Sequence, residues 1–334
     1  MKREWFINGS LALGSIACFF LVAEFGLRIT KLQTVKPNPP KIYQAHENAR
    51  ISYTLKPSIK ERAFRSIVTT DENGFRINAL PPTPHPQRPT FITLGDSITF
   101  GYGVENNETL SAQLEAQMPD TEFINAGVPG YTLDQEIALY NKEIRSSIDP
   151  EGLLLVFYWN DLDRFDPGMV DEDGILRPYG WVDAGPNCDP IQRGLLKFVP
   201  GKCWLDINSA FYKALKKLVN MRYNNERLAN TREKAKTGEI EDPSKEEHLE
   251  EYLEQLTEFS ETLPIKKYFV IWPDRYLHAD TKPALIKGAL KADFTVIDLT
   301  EVFGNEAETL SWDTVHPHPD TIKEAARVIE EALE

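Results

Sequence analysis

From residue 90 onward the chain alternates short apolar runs with stretches of helical period, and no other feature restricts the fold as strongly. The runs 91–94, 122–125, 152–158, 267–272 and 294–299 have the length and turn-residue boundaries of buried strands. Segments such as 110–117 and 133–147 carry helical patterns between them. Strands joined by helical crossovers pair in parallel, so the pattern predicts an α/β domain built on a doubly wound parallel sheet of five strands. A long insertion, about 161–263, separates the third and fourth strands. It holds a basic amphipathic helix near 210–236 and a charged helix near 245–263. The run "EIEDPSKEEHLEEYLEQL" reads as a solvated helix face.

The chain begins differently. Lys2 and Arg3 precede an apolar stretch from Phe6 to Val22, and the next ionisable residue is Glu24. That length is the lower limit for a spanning helix, and no small-x-small cleavage site follows it. Residues 1–29 are therefore expected to form an uncleaved transmembrane anchor. Cys18 does not fit a lipidation signal, because Ser15 stands where leucine is usual and apolar residues continue after the cysteine. Residues 30–89 read as a tether with a small β-like extension at 52–57 and 66–77, where Asn73-Gly74 marks a turn. A stiff connector with Pro81, Pro82, Pro84, Pro86 and Pro89 closes it. The main domain then runs from 90 to 334.

Arg28, Lys31, Lys36 and Lys41, taken alone, argue that the carboxyl side of the anchor stays in the cytoplasm. Cys188 and Cys203 argue the opposite. They lie fifteen residues apart in a Pro/Gly-rich stretch, which suits a disulfide worth about 3 kcal/mol and hence an oxidising compartment. Two unpaired thiols are the alternative. The disulfide reading puts the domain outside the cytoplasm, on the periplasmic or outer face. A net charge of -14 works against a phosphate backbone, and no basic stripe with interleaved aromatics is present, so nucleic acid is not an expected partner. The six histidines form no metal-binding spacing, and no metal or other cofactor is implied.

The residues just after each strand point to chemistry. "GDSIT" places Ser97 at the carboxyl end of the first strand, the edge where open parallel sheets bind ligands. The bland reading is that Asp96, Ser97 and Thr99 only cap the next helix. A phosphate-binding loop is excluded because Tyr102 and Gly103 follow Gly101, and a G-x-S-x-G elbow because Thr99 stands where glycine is needed. After the second strand comes "INAGVPGY" with Gly127, after the third "FYWND" with Asn160, and about fifteen residues beyond the fifth "DTVHP" with Asp313 and His316. A serine nucleophile needs a base and a group that orients the base. His316 and Asp313 can serve. The oxyanion needs preorganised donors, which a backbone N–H at a glycine and an asparagine amide supply.

Ser97 in "GDSIT", Gly127, Asn160 and the Asp313/His316 pair resemble, in order, the four blocks of the SGNH (GDSL) hydrolases, over residues 90 to about 332. The anchor, "NGFR" and "FYWND" resemble a membrane-anchored bacterial branch. The resemblance implies a flavodoxin-like α/β/α sandwich and ester hydrolysis through an acyl-serine. It implies Ser97 as nucleophile, His316 as base, Asp313 as its orienter, and an oxyanion hole from the Ser97 and Gly127 N–H groups and Asn160. Tyr158 and Trp159 depart from the usual third block, and either narrow the acyl pocket or pack in the core. The expected substrate is an O-acyl or O-acetyl ester, a small molecule or a glycan. An acyltransferase on the same fold acting on a cell-surface polysaccharide is one alternative, and a catalytically inactive binding protein is another.

Overall fold

The structure, a computed structural model, describes residues 2–35, 39–78, 88–162, 168–182, 185, 188, 193–240 and 246–333. Most of the proline-rich connector therefore lies outside the described residues, as do parts of the insertion. Two compact units divide the chain: Met1–Pro39 with Val182–Arg227, and Pro40–Trp181 with Leu228–Glu334.

The second unit contains the five-stranded sheet. Its strands are β1 (Thr90–Gly95), β2 (Glu122–Gly127), β3 (Gly152–Phe157), β4 (Lys266–Ile271) and β5 (Thr295–Asp298). They lie in the order β5-β4-β3-β1-β2 and are parallel throughout. This is the expected doubly wound sheet in flavodoxin-like order, and the chain changes direction of travel between β1 and β3. Every residue of β3 is buried, because helices cover both faces and leave no solvent side to alternate with. In register Gly95 faces Gly127 on one side and Val156 on the other, so three strand ends open onto one crevice.

The helix expected over 110–117 forms at Leu110–Gln117. That over 133–147 begins as Leu133–Leu139 and continues in wider turns at Tyr140–Ile144, where the Arg145 N–H reaches the carbonyl of Tyr140, five residues back. Ahead of the sheet, Tyr43–Ala45 pairs antiparallel with Tyr53–Leu55, and Lys60–Ala63 with Ser66–Thr69. The Lys60–Ala63 strand has no sequence signature because three of its four residues are exposed. Its hairpin turns at Phe64 and Arg65, both at positive φ (53° and 73°). A type I′ turn demands this geometry and normally uses Asn or Gly, so these side chains cost roughly 1–2 kcal/mol each. Residues 71–75 form a turn held by the Asp71 carboxylate, which accepts the N–H groups of Asn73 (2.9 Å) and Phe75 (2.8 Å).

The first unit is built on the helix Lys2–Ile29 and the start of the helix Ala210–Thr237. Ile7–Ile29, at a mean hydropathy of 1.9, is long and apolar enough to cross a membrane. The sulfurs of Cys188 and Cys203 are bonded, and Cys18 is free.

Candidate active site

The crevice at the ends of β1, β2 and β3 receives the polar groups named from sequence. Beyond Gly95 the chain turns into the short helix Ser97–Phe100, and the Asp96 carboxylate caps it by accepting the Ile98 N–H at 2.8 Å. Arg76, the arginine of "NGFR", holds the other end. Its guanidinium is buried and donates to the carbonyls of Phe100 (2.9 Å), Gly101 (2.6 Å) and Val104 (2.6 Å), and to Asn106 Oδ1 (3.0 Å). The Phe100 and Gly101 carbonyls stand at the end of that helix and the Val104 carbonyl in the loop beyond it, a set that a fork of fixed donors suits. Burial lowers the Arg76 pKa to about 10, against the pull of Glu105 and Glu108, and the group stays cationic at neutral pH. The motif is visible in the sequence, but this positioning role is not.

Ser97 Oγ lies 3.0 Å from His316 Nε2, and His316 Nδ1 lies 3.0 Å from Asp313 Oδ2. The other Asp313 oxygen accepts the N–H groups of Val315 (2.7 Å) and His316 (3.0 Å), which fold the carboxylate back onto the ring. Burial pushes the Asp313 carboxyl up, but the hydrogen bond and charge of His316 and the two N–H groups outweigh it and hold the carboxyl below its ordinary range. An ionised carboxylate only accepts, so Nδ1 carries the proton and Nε2 is free to accept from the serine hydroxyl. His318 is engaged elsewhere, since its Nδ1 accepts the Asp320 N–H at 3.3 Å at the head of the helix Pro319–Leu333.

Gly127 and Asn160 reach the same edge but are differently disposed. The Gly127 N–H already donates to Asn125 Oδ1 at 3.1 Å. A Cβ on Gly127 would fall 2.2 Å from the Phe100 nitrogen, so this glycine lets β2 pass against the backbone of the Ser97 helix. Asn160 Nδ2 donates to Asp96 Oδ2 at 2.9 Å and keeps a second N–H. Three residues past Gly127, Gly130 is exposed at φ +84°. Tyr53 donates its hydroxyl to the Pro129 carbonyl at 2.9 Å, which fixes the plane of the Pro129–Gly130 peptide and hence the direction of the Gly130 N–H. The "PG" dipeptide was the available signal for this second glycine.

Tyr158 and Trp159 are both buried. The Trp159 ring stacks on His278 at 3.5 Å, and the Tyr158 hydroxyl donates to Asp274 Oδ1 at 3.1 Å. Asp274, Arg275 and His278, at the end of β4, were not anticipated. Asp274 Oδ2 is 3.1 Å from His278 Nε2, and Arg275 donates to the Thr314 carbonyl at 3.2 Å, tethering the loop that carries Asp313 and His316. On the open side Tyr102 stacks on the His316 ring (3.9 Å) and Phe64 on Tyr102 (4.1 Å). Trp312 flanks Tyr102, and the Arg65 guanidinium sits 4.4 Å over the Trp312 ring. The strained hairpin turn thus delivers its two side chains to the site, as stored strain often does at functional positions.

Within reach of the Asp96 charge lies a buried carboxyl, Glu136, that the triad does not use. Burial, reinforced by the charge of Asp96, raises the pKa of Glu136 well above its ordinary value, and its Oε1 has no hydrogen-bond partner. A carboxyl with a raised folded pKa costs stability as pH climbs from the unfolded value, about 4.3, through the folded one. Glu136→Gln removes that titration. The variant is expected to match the wild type near the ordinary carboxylate range and to become progressively more stable than it toward alkaline pH, read as the urea midpoint across a pH series. A gap that did not change with pH would refute this account.

The fold and site together define an α/β chain that presents a Ser-His-Asp hydrogen-bonded series at the switch point of a parallel sheet. No protein-family model and no curated protein matches the chain. Among solved structures it is similar to a lipolytic protein of the G-D-S-L family from Desulfitobacterium hafniense, at 13% identity and TM-score 0.37, covering 72% of this chain and 98% of that one. It is also similar to AlinE4, an SGNH-hydrolase family esterase, at 16% identity and TM-score 0.37, covering 75% and 97%. A third neighbour is an acetylxylan esterase from Geobacillus stearothermophilus, at 16% identity and TM-score 0.38, covering 72% and 92%.

Proposed function

We propose that this chain is an SGNH-type serine esterase that hydrolyses O-acyl or O-acetyl esters through an acyl-serine. The observation that carries the reading is the series Ser97–His316–Asp313, with both hydrogen bonds at 3.0 Å. His316 Nε2 takes the Ser97 proton as Oγ attacks the ester carbonyl carbon, and the carbonyl opens to an oxyanion. Collapse of that intermediate expels the alcohol oxygen, which takes the proton from His316. Water then repeats the sequence on the acyl-serine and releases the carboxylic acid. Asp313 stays ionised and stabilises the imidazolium formed in each half-reaction.

For the oxyanion hole we assign the Ser97 N–H, the free N–H of Asn160 and the Gly130 N–H, in place of Gly127, whose N–H is engaged by Asn125. Tyr53→Phe releases the Pro129–Gly130 peptide, and is expected to lower kcat about tenfold with KM retained, less than the 10²–10³ of losing a donor outright. An unchanged kcat removes Gly130 from the hole. We place the catalytic unit outside the cytoplasm, tethered by the N-terminal helix, and the Cys188–Cys203 bond supports that side. The deciding experiment is fluorophosphonate labelling of the full chain in detergent, followed by a panel of aryl and sugar esters. Labelling at Ser97 with turnover of acetylated sugars supports the reading. No labelling refutes it, and transfer to an added glycan without matching hydrolysis replaces it with acyl transfer.

A further inference from the structure

The first unit carries features that ester hydrolysis does not use. Glu24 lies inside the apolar window Ile7–Ile29, where an unpaired carboxylate is costly. Its oxygens accept from Ser209 Oγ (2.8 Å) and from the N–H groups of Ala210 (2.9 Å) and Phe211 (2.8 Å), the free donors at the head of the helix Ala210–Thr237. Arg28 donates to the Asn208 carbonyl at 2.5 Å. One level further in, the Phe211 ring meets Phe20 edge-on at 5.1 Å. Phe20 is nine residues from the end of the N-terminal helix, which is about 13 Å along its axis. The insertion therefore accompanies the charged end of the N-terminal helix, past Arg28 and Glu24, as far as the edge of its uninterrupted apolar stretch, Phe6 to Val22.

The rest of this segment is shaped for the same environment. Leu215 and Leu218 continue the stripe of Phe211 at helical spacing, and Leu218 is 59% exposed. Phe198 and Trp204 are 73% and 66% exposed, and Trp204 is next to the bonded Cys203. Residues 193–227 contain eight lysines and arginines against two acids, in a chain whose net charge is -14. Exposed aromatic and aliphatic side chains within a local excess of cations fit an anionic lipid surface, where apolar groups enter the acyl boundary and lysines meet phosphates.

We infer that residues 193–223 form a foot lying in the headgroup region of one leaflet, with Phe198, Trp204, Leu215 and Leu218 facing the acyl chains. The inference rests on the reading of Ile7–Ile29 as a membrane span. The foot would hold the first unit at the bilayer surface as well as through it.

The full chain is reconstituted in vesicles of equal parts phosphatidylcholine and phosphatidylglycerol, with or without bromine on the acyl chains, and compared with Trp204→Phe. The other tryptophans, Trp5 among them, are common to both, so the difference isolates Trp204. The expected result is a blue-shifted component that brominated lipid quenches in the wild type and that Trp204→Phe lacks. The triple variant Phe198→Glu, Leu215→Glu, Leu218→Glu should lose the same component while its circular dichroism stays that of the wild type. Equal quenching in wild type and Trp204→Phe overturns the foot. If the chain nevertheless resists alkaline carbonate extraction, the span survives and only the foot fails; if carbonate releases it, both fail. Loss of quenching together with a dimeric mass in the vesicles assigns the patch to a second copy and also overturns the proposal.

Discussion

Ser97→Ala is expected to abolish hydrolysis of short aryl acetates, by a factor of 10⁴ or more, and to leave the thermal transition nearly unchanged. The serine hydroxyl lies 3.0 Å from His316 Nε2 and 3.3 Å from Asp96 Oδ2 on a side chain that is only part-buried, so its loss removes the nucleophile without opening a core cavity. The cap of the helix is untouched, because Asp96 supplies it through the Ile98 N–H. Steady-state kinetics with a fluorophosphonate titration of active sites reads the first half of the prediction, and circular dichroism the second. Residual activity above a few per cent of wild type, in protein free of contaminating esterase, would remove Ser97 from the role.

The two histidines of "DTVHPHPD" are expected to separate by orders of magnitude. His316→Ala deletes the proton acceptor and leaves Asp313 with no ring to orient, and kcat should fall at least 10³-fold. His318→Ala removes an acceptor for the Asp320 N–H at the head of the last helix, a capping contact worth about 1 kcal/mol of stability. Its kcat should change by less than tenfold, or ~1.4 kcal/mol. The comparison is informative because the substitutions are chemically identical and two residues apart. If His318→Ala were the more damaging, the triad drawn here would be wrong even with Ser97 confirmed as the nucleophile.

Much of the architecture was legible from residue pattern because the relevant interactions are local or periodic. A short apolar run bounded by turn residues reads as a buried strand, and five of them with helical crossovers admit few arrangements. A polar group placed just after such a strand must appear at the carboxyl edge, so Ser97 and Asn160 were brought to one crevice by chain order alone. The Asp313/His316 pair needed only a three-residue turn. The strand Lys60–Ala63 was illegible for the opposite reason: it is exposed and charged, and its existence depends on the partner Ser66–Thr69.

The sequence by itself determined the sheet, its order-limiting crossovers, the apolar N-terminal helix and the edge at which the reactive side chains gather. All of these come from periodicity and from distances of a few residues. Only the tertiary structure decided that the Gly127 N–H is engaged by Asn125 and that the Pro129–Gly130 peptide plane is held by Tyr53 from 76 residues away. Tertiary structure also decided that Arg76 ties down the loop after the nucleophile, that Phe64 and Arg65 wall the site, and that Glu24 meets the head of a helix 186 residues later. Each of these is a contact between groups far apart in the chain, and no local spacing rule encodes where a long-range hydrogen bond or ring contact will close.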